Sequence, residues 1–241
     1  MNPAEAITVI TTTSPILSHP STSIIETSYQ SVRKHLPTAQ YLFLIDGIRV
    51  EQEHLRKPYE EYKGTLTKRM DNGEWPSAHY VAFPEFHHQA GMVRFAIRSH
   101  LITTPLVLWV EHDFYFNDLP VDWQGITNTL LDDEACYMRF LIPEEAYLSR
   151  TPHKVIPSRY RIPMMRTIQF SGLPHVATTE FYVRLVDGFK EAKAHLECEV
   201  TEAIPYAEHK WKLAIYAPPG DGARVATLDG RRGDPKLSAV I

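Results

Sequence analysis

Cysteine is scarce in this 241-residue chain, which contains only two, Cys136 and Cys198. They are far apart and match neither the spacing of a zinc site nor that of a redox pair. The sequence therefore argues against a disulfide framework and a cysteine-based metal centre. It predicts two reduced thiols in a cytoplasmic protein.

Long apolar runs and a strong charge of either sign are also missing. No apolar stretch approaches the ~18–20 residues needed to span a bilayer, and residues 1–6 lack the basic start of a signal peptide. The net charge of −4 carries no overall signature of a nucleic-acid binder. With 241 residues, 44% of them hydrophobic, the chain can bury the core of one large domain or of a domain with an appendage.

Three short β-branched or aromatic segments, at 6–13, 40–45 and 80–83, alternate with helix-like stretches. The stretch at 24–36 has apolar residues at helical spacing, and the polar stretch at 50–69 predicts a second helix. An order of strand, helix and strand implies parallel strands joined by right-handed crossovers.

The rest of the sequence predicts a helix over 88–101, a buried strand from 106 and another strand over 135–142. Residues 156–170 favour an extended or irregular course, 178–202 one or two helices, and 212–216 a last short strand before a loop-like tail. We therefore expect an α/β fold, Rossmann-like, with a mostly parallel central sheet flanked by helices and an irregular C-terminal region.

The segment that begins at Leu106 says most about function. Five apolar residues run into Glu111 and Asp113, with His112 between them. If the strand continues, residues two apart point the same way, and both carboxylates converge at its C-terminal end. Paired carboxylates of this kind bind hard divalent ions such as Mg²⁺ and Mn²⁺. The alternative is a strand end with two solvated acids.

Taken in order, Asp46 after the second strand, the segment 88–98 with its glycine and arginines, and Glu111-His112-Asp113 form a familiar series. This series is similar to the nucleotide-sugar-binding half of GT-A-fold glycosyltransferases, especially family 2. The resemblance covers residues 6–116. It implies a single GT-A-like domain over 1–241, with the donor-binding half at 6–116 and the acceptor-binding half and tail at 117–241.

The resemblance implies transfer of a sugar from a nucleotide-sugar donor, with uridine as the expected nucleoside. Mn²⁺ or Mg²⁺ at Glu111 and Asp113 would neutralise the departing diphosphate, helped by basic side chains and helix N-termini. The residues expected to bind the nucleotide sugar are Thr11, Thr12, Asp46, Gly91, Arg94, Arg98 and Arg231.

A transfer that inverts configuration also needs a general base, whereas a retaining transfer does not. Four glutamates lie in the region where the family keeps it, and position favours Glu199 or Glu202 over Glu180 and Glu197.

The acceptor is either a glycan or an anionic polymer such as nucleic acid. A group of basic and aromatic residues could form a face that binds such a polymer. The alternative is that these arginines are scattered and solvated. The residues of the predicted face are Arg139, Arg150, Lys154, Arg159, Arg161, Arg166, Tyr147, Tyr160 and Phe170.

Other interpretations stay open. The Glu-x-Asp motif and the lack of a C-terminal histidine ligand fit a non-catalytic module that recognises a nucleotide sugar or a glycan. A nucleotidyltransferase would use the same sheet, but the segment from Thr11 to Pro15 lacks its glycine-rich phosphate loop. Asp46 is also consistent with a simple turn at a strand end. Gly91 is consistent with close packing of a helix, and Arg94 and Arg98 with the solvated face of that helix.

Overall fold

The computed structural model describes residues 1–150, 155–190, 194–204, 212–220 and 222–228. Its helices are α1 (Pro3–Ala6), α2 (Ser23–His35), α3 (Arg56–Asp71), α4 (His88–Arg98), α5 (Trp123–Leu131), α6 (Thr179–Leu185) and α7 (Leu196–Ala203). Its strands are β1 (Ile7–Thr13), β2 (Gln40–Ile45), β3 (Ala78–Ala82), β4 (Leu106–Trp109), β5 (Phe114–Phe116), β6 (Tyr137–Phe140), β7 (Ile156–Pro157), β8 (Pro163–Thr167), β9 (His175–Thr178), β10 (Leu213–Tyr216) and β11 (Val225–Thr227). Short 3₁₀ helices cover Val50–Leu55, Pro143–Arg150 and Val186–Gly188.

Nine strands form the main sheet, in the order β3-β2-β1-β4-β9-β6-β10-β8-β7. β2 and β4 flank β1 in parallel, and β3 adds to β2 in the same direction. β9 runs antiparallel between β4 and β6, and β10 is parallel to β6. The predicted α/β fold with a mostly parallel sheet is therefore confirmed.

Helices cover both faces of this sheet, which explains why its central strands are apolar on both sides. One face packs against α2, α3 and α5 through side chains such as Val32, Tyr62 and Ile126. The other face packs against α4, α6 and α7, through Val93, Phe181 and Val200 among others. Because helices cover both faces, a binding site has to be formed by the loops at the two ends of the strands.

The strand expected to carry Glu111 and Asp113 is shorter than predicted. β4 ends at Trp109, and His112 and Asp113 form a turn in which the Phe114 N–H donates to the Glu111 carbonyl, 3.1 Å away. The pairing with β1 nevertheless continues past Trp109, because the N–H groups of Val110 and His112 donate to the carbonyls of Ile10 (3.0 Å) and Thr12 (3.3 Å). The convergence of the two carboxylates, expected from strand alternation, stays a prediction.

Several elements were not predicted. Helices α1 and α5 and strands β5 and β9 occupy segments that the sequence did not assign, and the tail expected to be a loop contains β11. β11 pairs antiparallel with β5 in a small second sheet, and the Leu228 N–H donates to the Asp113 carbonyl at 2.7 Å. Within the described ranges, no helix has both the length and the apolar character of a membrane span.

Candidate functional site

Strands β1, β2, β3 and β4 all end at one side of the main sheet, which we call the carboxyl edge. In open α/β sheets, ligands bind in the crevice beyond this edge. Asp46 follows β2 directly, Glu111 and Asp113 come two and four residues after the end of β4, and Thr12 is the next-to-last residue of β1. The structure thus brings these four sequence-predicted residues to the same edge.

Asp46 is almost fully buried, with 1% of its surface exposed. Its carboxylate accepts hydrogen bonds from the backbone N–H groups of Gly47 (2.8 Å), His87 (2.7 Å) and His88 (2.9 Å). Burial raises the pKa of Asp46 above its ordinary value, although these three hydrogen bonds act in the opposite direction. The carboxylate therefore anchors the start of α4 to the end of β2.

The backbone of Gly47 lies directly against the backbone of Glu85 and Phe86, with no room for a Cβ atom between them. The loops after β2 and β3 are thus in contact at this point. Asp46 and Gly47 form more than a turn, because one residue holds α4 and the other permits the close approach of two loops.

His88 opens α4 in the left-handed region, with φ of 57°. Its Nδ1 accepts the Gln89 N–H at 2.8 Å, and its ring also hydrogen-bonds to the Ala194 carbonyl, which further accepts the Ala90 N–H at 3.1 Å. Burial, with His195 and Arg49 nearby, lowers the pKa of His88 to about 4, so the ring is neutral at pH 7. The N–H groups of residues 87–90 are all satisfied within the protein. The expected help from a helix N-terminus is therefore not available at α4.

A cavity of about 710 Å³ opens between the loops after β2 and β3 and the segment before α7. The guanidinium of Arg49 lies over the ring of Phe86, 4.4 Å from its centroid. The rings of His88 and His195 meet edge to face at 4.2 Å. The cavity lining also includes Ile48, Val50, Glu51, Arg56, Pro84, Glu85 and Ala194. Sequence reasoning missed Arg49 and His195, which lie outside every motif; their only signal is a position just before or after a regular element.

A second group of side chains surrounds Gly172, in the loop before β9. The Gly172 N–H donates to Glu197 Oε2 at 3.1 Å. A Cβ on Gly172 would lie 3.2 Å from that oxygen and 4.0 Å from Glu111 Oε1. Glu197, in the first turn of α7, thus shares this neighbourhood with Glu111, and a helix start favours its negative charge.

Glu199 and Glu202, which position along the chain favoured as the base, point elsewhere. The Glu199 carboxylate accepts the backbone N–H of Lys190 at 2.6 Å, and Glu202 pairs with the Lys190 ammonium at 2.9 Å. The contacts that place Glu197 beside Gly172 involve neither of them. Glu180 pairs with Arg184 on the surface of α6.

The other predicted nucleotide-sugar residues are dispersed. Thr11 faces the core, where its hydroxyl hydrogen-bonds to the Tyr41 hydroxyl at 2.9 Å. Gly91 is buried within α4, and Arg94 is half-buried. Arg98 lies at the far end of α4, roughly 15 Å from its start, and pairs with Asp187. Arg231 lies outside the described residues.

Two arginines of the predicted basic acceptor face form ion pairs. Arg139 forms a half-buried ion pair with Glu145, and Arg159 pairs with Asp132. Lys154 lies outside the described residues, as do the side chains of Tyr147 and Arg150.

Two buried histidines also lie at the carboxyl edge. His19, in the loop after β1, stacks on Tyr62 with the ring centroids 3.9 Å apart, and burial lowers its pKa to about 3. His112 hydrogen-bonds through Nδ1 to the Thr12 carbonyl at 3.3 Å. Both rings therefore help to pack the loops that follow β1 and β4.

The described residues contain no cluster of three or more His, Cys, Asp or Glu side chains able to hold a metal ion. A divalent ion here would have Glu111 and Asp113 as its protein ligands and would need further oxygens from a substrate. That donor set fits Mg²⁺ or Mn²⁺, which often use one or two carboxylates together with substrate phosphates.

Comparison with solved structures identifies the fold. GalNAc-T7 with UDP, GalNAc and Mn²⁺ superposes with a TM-score of 0.59 at 12% identity, over 94% of this chain and 44% of that one. The mannosyltransferase PcManGT of Pyrobaculum calidifontis with GDP-Man and Mn²⁺ gives 0.51 at 14%, over 90% of this chain and 58% of that one. S. aureus TarS, residues 1–349, gives 0.53 at 10%, over 92% and 60%.

The chain has a GT-A-type fold. It spans less than half the length of GalNAc-T7 and about three fifths of the other two structures. No protein-family model matches the sequence, and no curated protein does. The GT-A-type fold therefore rests on three-dimensional similarity, and it agrees with the resemblance drawn from Asp46, the α4 segment and Glu111-His112-Asp113.

Proposed function

We propose that this protein is a glycosyltransferase that takes a sugar from a nucleoside diphosphate donor. The observation that carries the proposal is the position of Glu111 and Asp113, two and four residues after the end of β4, at the carboxyl edge of a GT-A-type sheet. Two of the similar structures hold a nucleotide or nucleotide sugar together with Mn²⁺. The acceptor is a glycan or an anionic polymer, bound mainly by residues of the 117–241 half.

Glu111 and Asp113 would hold Mn²⁺ or Mg²⁺ together with the two phosphates of the donor. The ion supplies a Lewis acid that neutralises charge on the departing diphosphate. Thr12 and Arg94 stay candidates for donor contact. The Arg94 Nε is buried and has no hydrogen-bond partner within the described part of the chain.

For the general base, the geometry favours Glu197 over Glu199 and Glu202. Glu197 lies beside Gly172 and near Glu111, so an acceptor hydroxyl above Gly172 would reach both its carboxylate and the reacting end of the donor. Its role is to take the proton of that hydroxyl as the bond to the sugar forms.

Calorimetric titration with UDP and GDP, with and without Mn²⁺, tests the proposal. We expect one nucleotide to bind in the micromolar range with Mn²⁺ and at least tenfold more weakly without it, about 1.4 kcal/mol. Asp113→Asn should remove the Mn²⁺ effect, and the exposed Asp118→Asn should not. Failure of the unmodified protein to bind any nucleoside diphosphate would falsify the proposal.

Release of UDP or GDP from a nucleotide sugar, with water as acceptor, separates a transferase from a recognition module. Slow release by the unmodified protein supports the transferase. Tight binding of the nucleotide sugar with no release after long incubation would instead support the non-catalytic module.

A further inference from the structure

The loop before β9, residues 170–174, is bound at both ends by β6, and we call it the Gly172 loop. The Tyr137 hydroxyl donates to the Ser171 carbonyl at 2.8 Å and accepts the Ser171 N–H at 3.3 Å. The Phe140 N–H donates to the Pro174 carbonyl at 2.9 Å. Loops are generally more mobile than the elements that they connect, but these hydrogen bonds fix this one to a central strand.

A buried histidine holds the middle of the Gly172 loop. His175 has no exposed surface; its Nδ1 hydrogen-bonds to the Leu173 carbonyl at 2.7 Å, and its Nε2 to the Tyr182 hydroxyl. Because a carbonyl can only accept, Nδ1 carries the proton and Nε2 accepts from Tyr182. Burial lowers the pKa of His175 to about 3, so the ring keeps this arrangement at neutral pH.

Aromatic packing supports both contacts. The centroid of the Phe170 ring lies 5.0 Å from that of Tyr137 and 5.3 Å from that of His175. The rings of Tyr137 and His175 are 4.7 Å apart. Since close-packed side chains move only together with their neighbours, neither polar group can turn away from the loop without disturbing the core.

One peptide unit of the loop connects the core to the surface. The Ser171 carbonyl and the Gly172 N–H belong to the same trans peptide, which is planar, so they point in opposite directions. Tyr137 binds the carbonyl, and the N–H donates to Glu197 Oε2 at 3.1 Å, in the exposed first turn of α7. A buried hydroxyl and an exposed carboxylate thus lie at the two ends of one rigid group.

Glycine at position 172 keeps the space beside this carboxylate open. An added Cβ would lie 3.2 Å from Glu197 Oε2, which is tighter than ordinary contact, and 4.0 Å from Glu111 Oε1. A side chain would therefore reduce the space that the two carboxylates border, where the acceptor hydroxyl has to approach.

We propose that Tyr137 and His175 are positioning residues that orient Glu197 through the Gly172 loop. By fixing Ser171 and Leu173 they fix the N–H of Gly172, and this N–H holds one oxygen of the Glu197 carboxylate so that the other faces the acceptor hydroxyl. Groups that react must be held within ~0.5 Å of the productive geometry, and supporting hydrogen bonds of this kind hold them there. The inference rests on the proposed function, in which Glu197 is the general base.

A double-mutant cycle in the full chain tests the proposal, with Tyr137→Phe, Glu197→Gln and the two together. The rate measured is nucleoside diphosphate release from saturating UDP-glucose, UDP-N-acetylglucosamine or GDP-mannose. We expect Tyr137→Phe to lower this rate by about 10–100-fold, because a misplaced group reacts poorly, and to leave the affinity for UDP and GDP unchanged. In the Glu197→Gln background the same substitution should have no further effect, because it acts only through Glu197.

Tyr41→Phe is the matched control. Tyr41 is as buried as Tyr137, and its hydroxyl bonds to the Thr11 hydroxyl at 2.9 Å, so the substitution removes a buried hydrogen bond elsewhere in the sheet. It should leave the rate unchanged. A loss of rate in Tyr41→Phe as large as in Tyr137→Phe would overturn the proposal, because general loosening of the core would then explain both.

His175 provides a second measurement. His175→Leu removes the donor to the Leu173 carbonyl, whereas the amide N–H of His175→Gln can replace it. At a temperature at which both variants are folded, we expect release at least tenfold slower in His175→Leu than in His175→Gln, with equal nucleotide affinity. Equal rates would show that His175 does not position the loop.

The remaining outcomes separate this inference from the proposed function. Equal factors for Tyr137→Phe with and without Glu197→Gln would overturn the inference alone, because Tyr137 would then act independently of Glu197. Weaker nucleotide binding in Tyr137→Phe would do so too, since the donor half would be affected. If the unmodified chain binds neither UDP nor GDP and releases neither from any of the three donors, the proposed function falls, and this inference with it.

Discussion

A Cβ atom on Gly47 would lie 2.1 Å from the carbonyl carbon of Glu85. The two backbones are thus in direct contact, and this contact joins the loops after β2 and β3 at the base of the cavity. A side chain at position 47 has to push one loop away from the other, because the obstacle is backbone and cannot rotate aside.

Gly47→Ala should therefore destabilise the protein by about 1–3 kcal/mol, the usual cost of overpacking. Gly64→Ala is the matched control, since Gly64 lies within α3 with no atom within 4 Å of an added Cβ. It should stabilise the protein by about 0.5–1 kcal/mol through helix propensity. Urea unfolding of both variants measures these effects; equal stabilities would show that the loop contact is absent.

Glu197→Gln should lower the rate of sugar transfer or donor hydrolysis by roughly 10²–10⁴-fold, the usual contribution of a general base, without weakening nucleotide binding. Glu199→Gln and Glu202→Gln should change the rate only a few-fold, because both carboxylates face Lys190. Nucleoside diphosphate release at saturating donor gives the rates. A large loss of rate confined to Glu199→Gln or Glu202→Gln would show that the general base is the residue that the sequence favoured.

Arg98→Ala should leave nucleotide affinity unchanged. Arg98 pairs with Asp187 where both side chains are more than half exposed, and such pairs contribute at most about 1 kcal/mol. Calorimetric titration next to the unmodified protein checks this. A tenfold loss of affinity would show that Arg98 contacts the donor, as its place in the α4 segment predicted.

Acid should destabilise the fold through buried neutral histidines. Burial lowers the pKa of His175 to about 3 from an ordinary 6.5, so the unfolded chain binds a proton at pH 5 and the folded protein does not. Each such histidine removes about 1.4 kcal/mol of stability per pH unit as the pH falls below 6.5. His88, with its pKa lowered to about 4, acts in the same direction.

Replacing His175 with glutamine should lower stability at pH 7, because the ring bonds to the Leu173 carbonyl and the Tyr182 hydroxyl. It should also reduce the slope of the unfolding free energy against pH between pH 4 and 6 by about 1.4 kcal/mol per pH unit, the contribution of one bound proton. Urea unfolding at several pH values measures the slope. An unchanged slope would mean that His175 is protonated in the folded state.

The first half of the fold could be predicted from the sequence because its signals are local. Gln40–Ile45 is bounded by turn residues and matches β2, and the apolar spacing after Ser23 matches α2. β9 could not be predicted in this way. It is four residues long, follows a Gly-Leu-Pro segment that is typical of a loop, and is a strand only because β4 and β6 accept it between them.

Part of the candidate site could likewise be predicted from the sequence, and part could not. Asp46, Glu111 and Asp113 stand at strand ends, so strand prediction alone brings them to one edge. Arg49, Phe86 and His195 come from three separate loops. Asp46 and Gly47 hold the first two loops together, and the Ala194 carbonyl, which accepts the Ala90 N–H, holds the third against α4. No spacing in the sequence records that contact.

The pairing of β11 with β5 has a consequence for biosynthesis. The Leu228 N–H donates to the Asp113 carbonyl, so a residue near the end of the chain fixes the backbone of a carboxylate made 115 positions earlier. Contacts of such separation form late in folding. A ribosome-bound chain that already has β1 to β4 would therefore still lack this hydrogen bond to Asp113, and would form it only after β11 and Leu228 emerge.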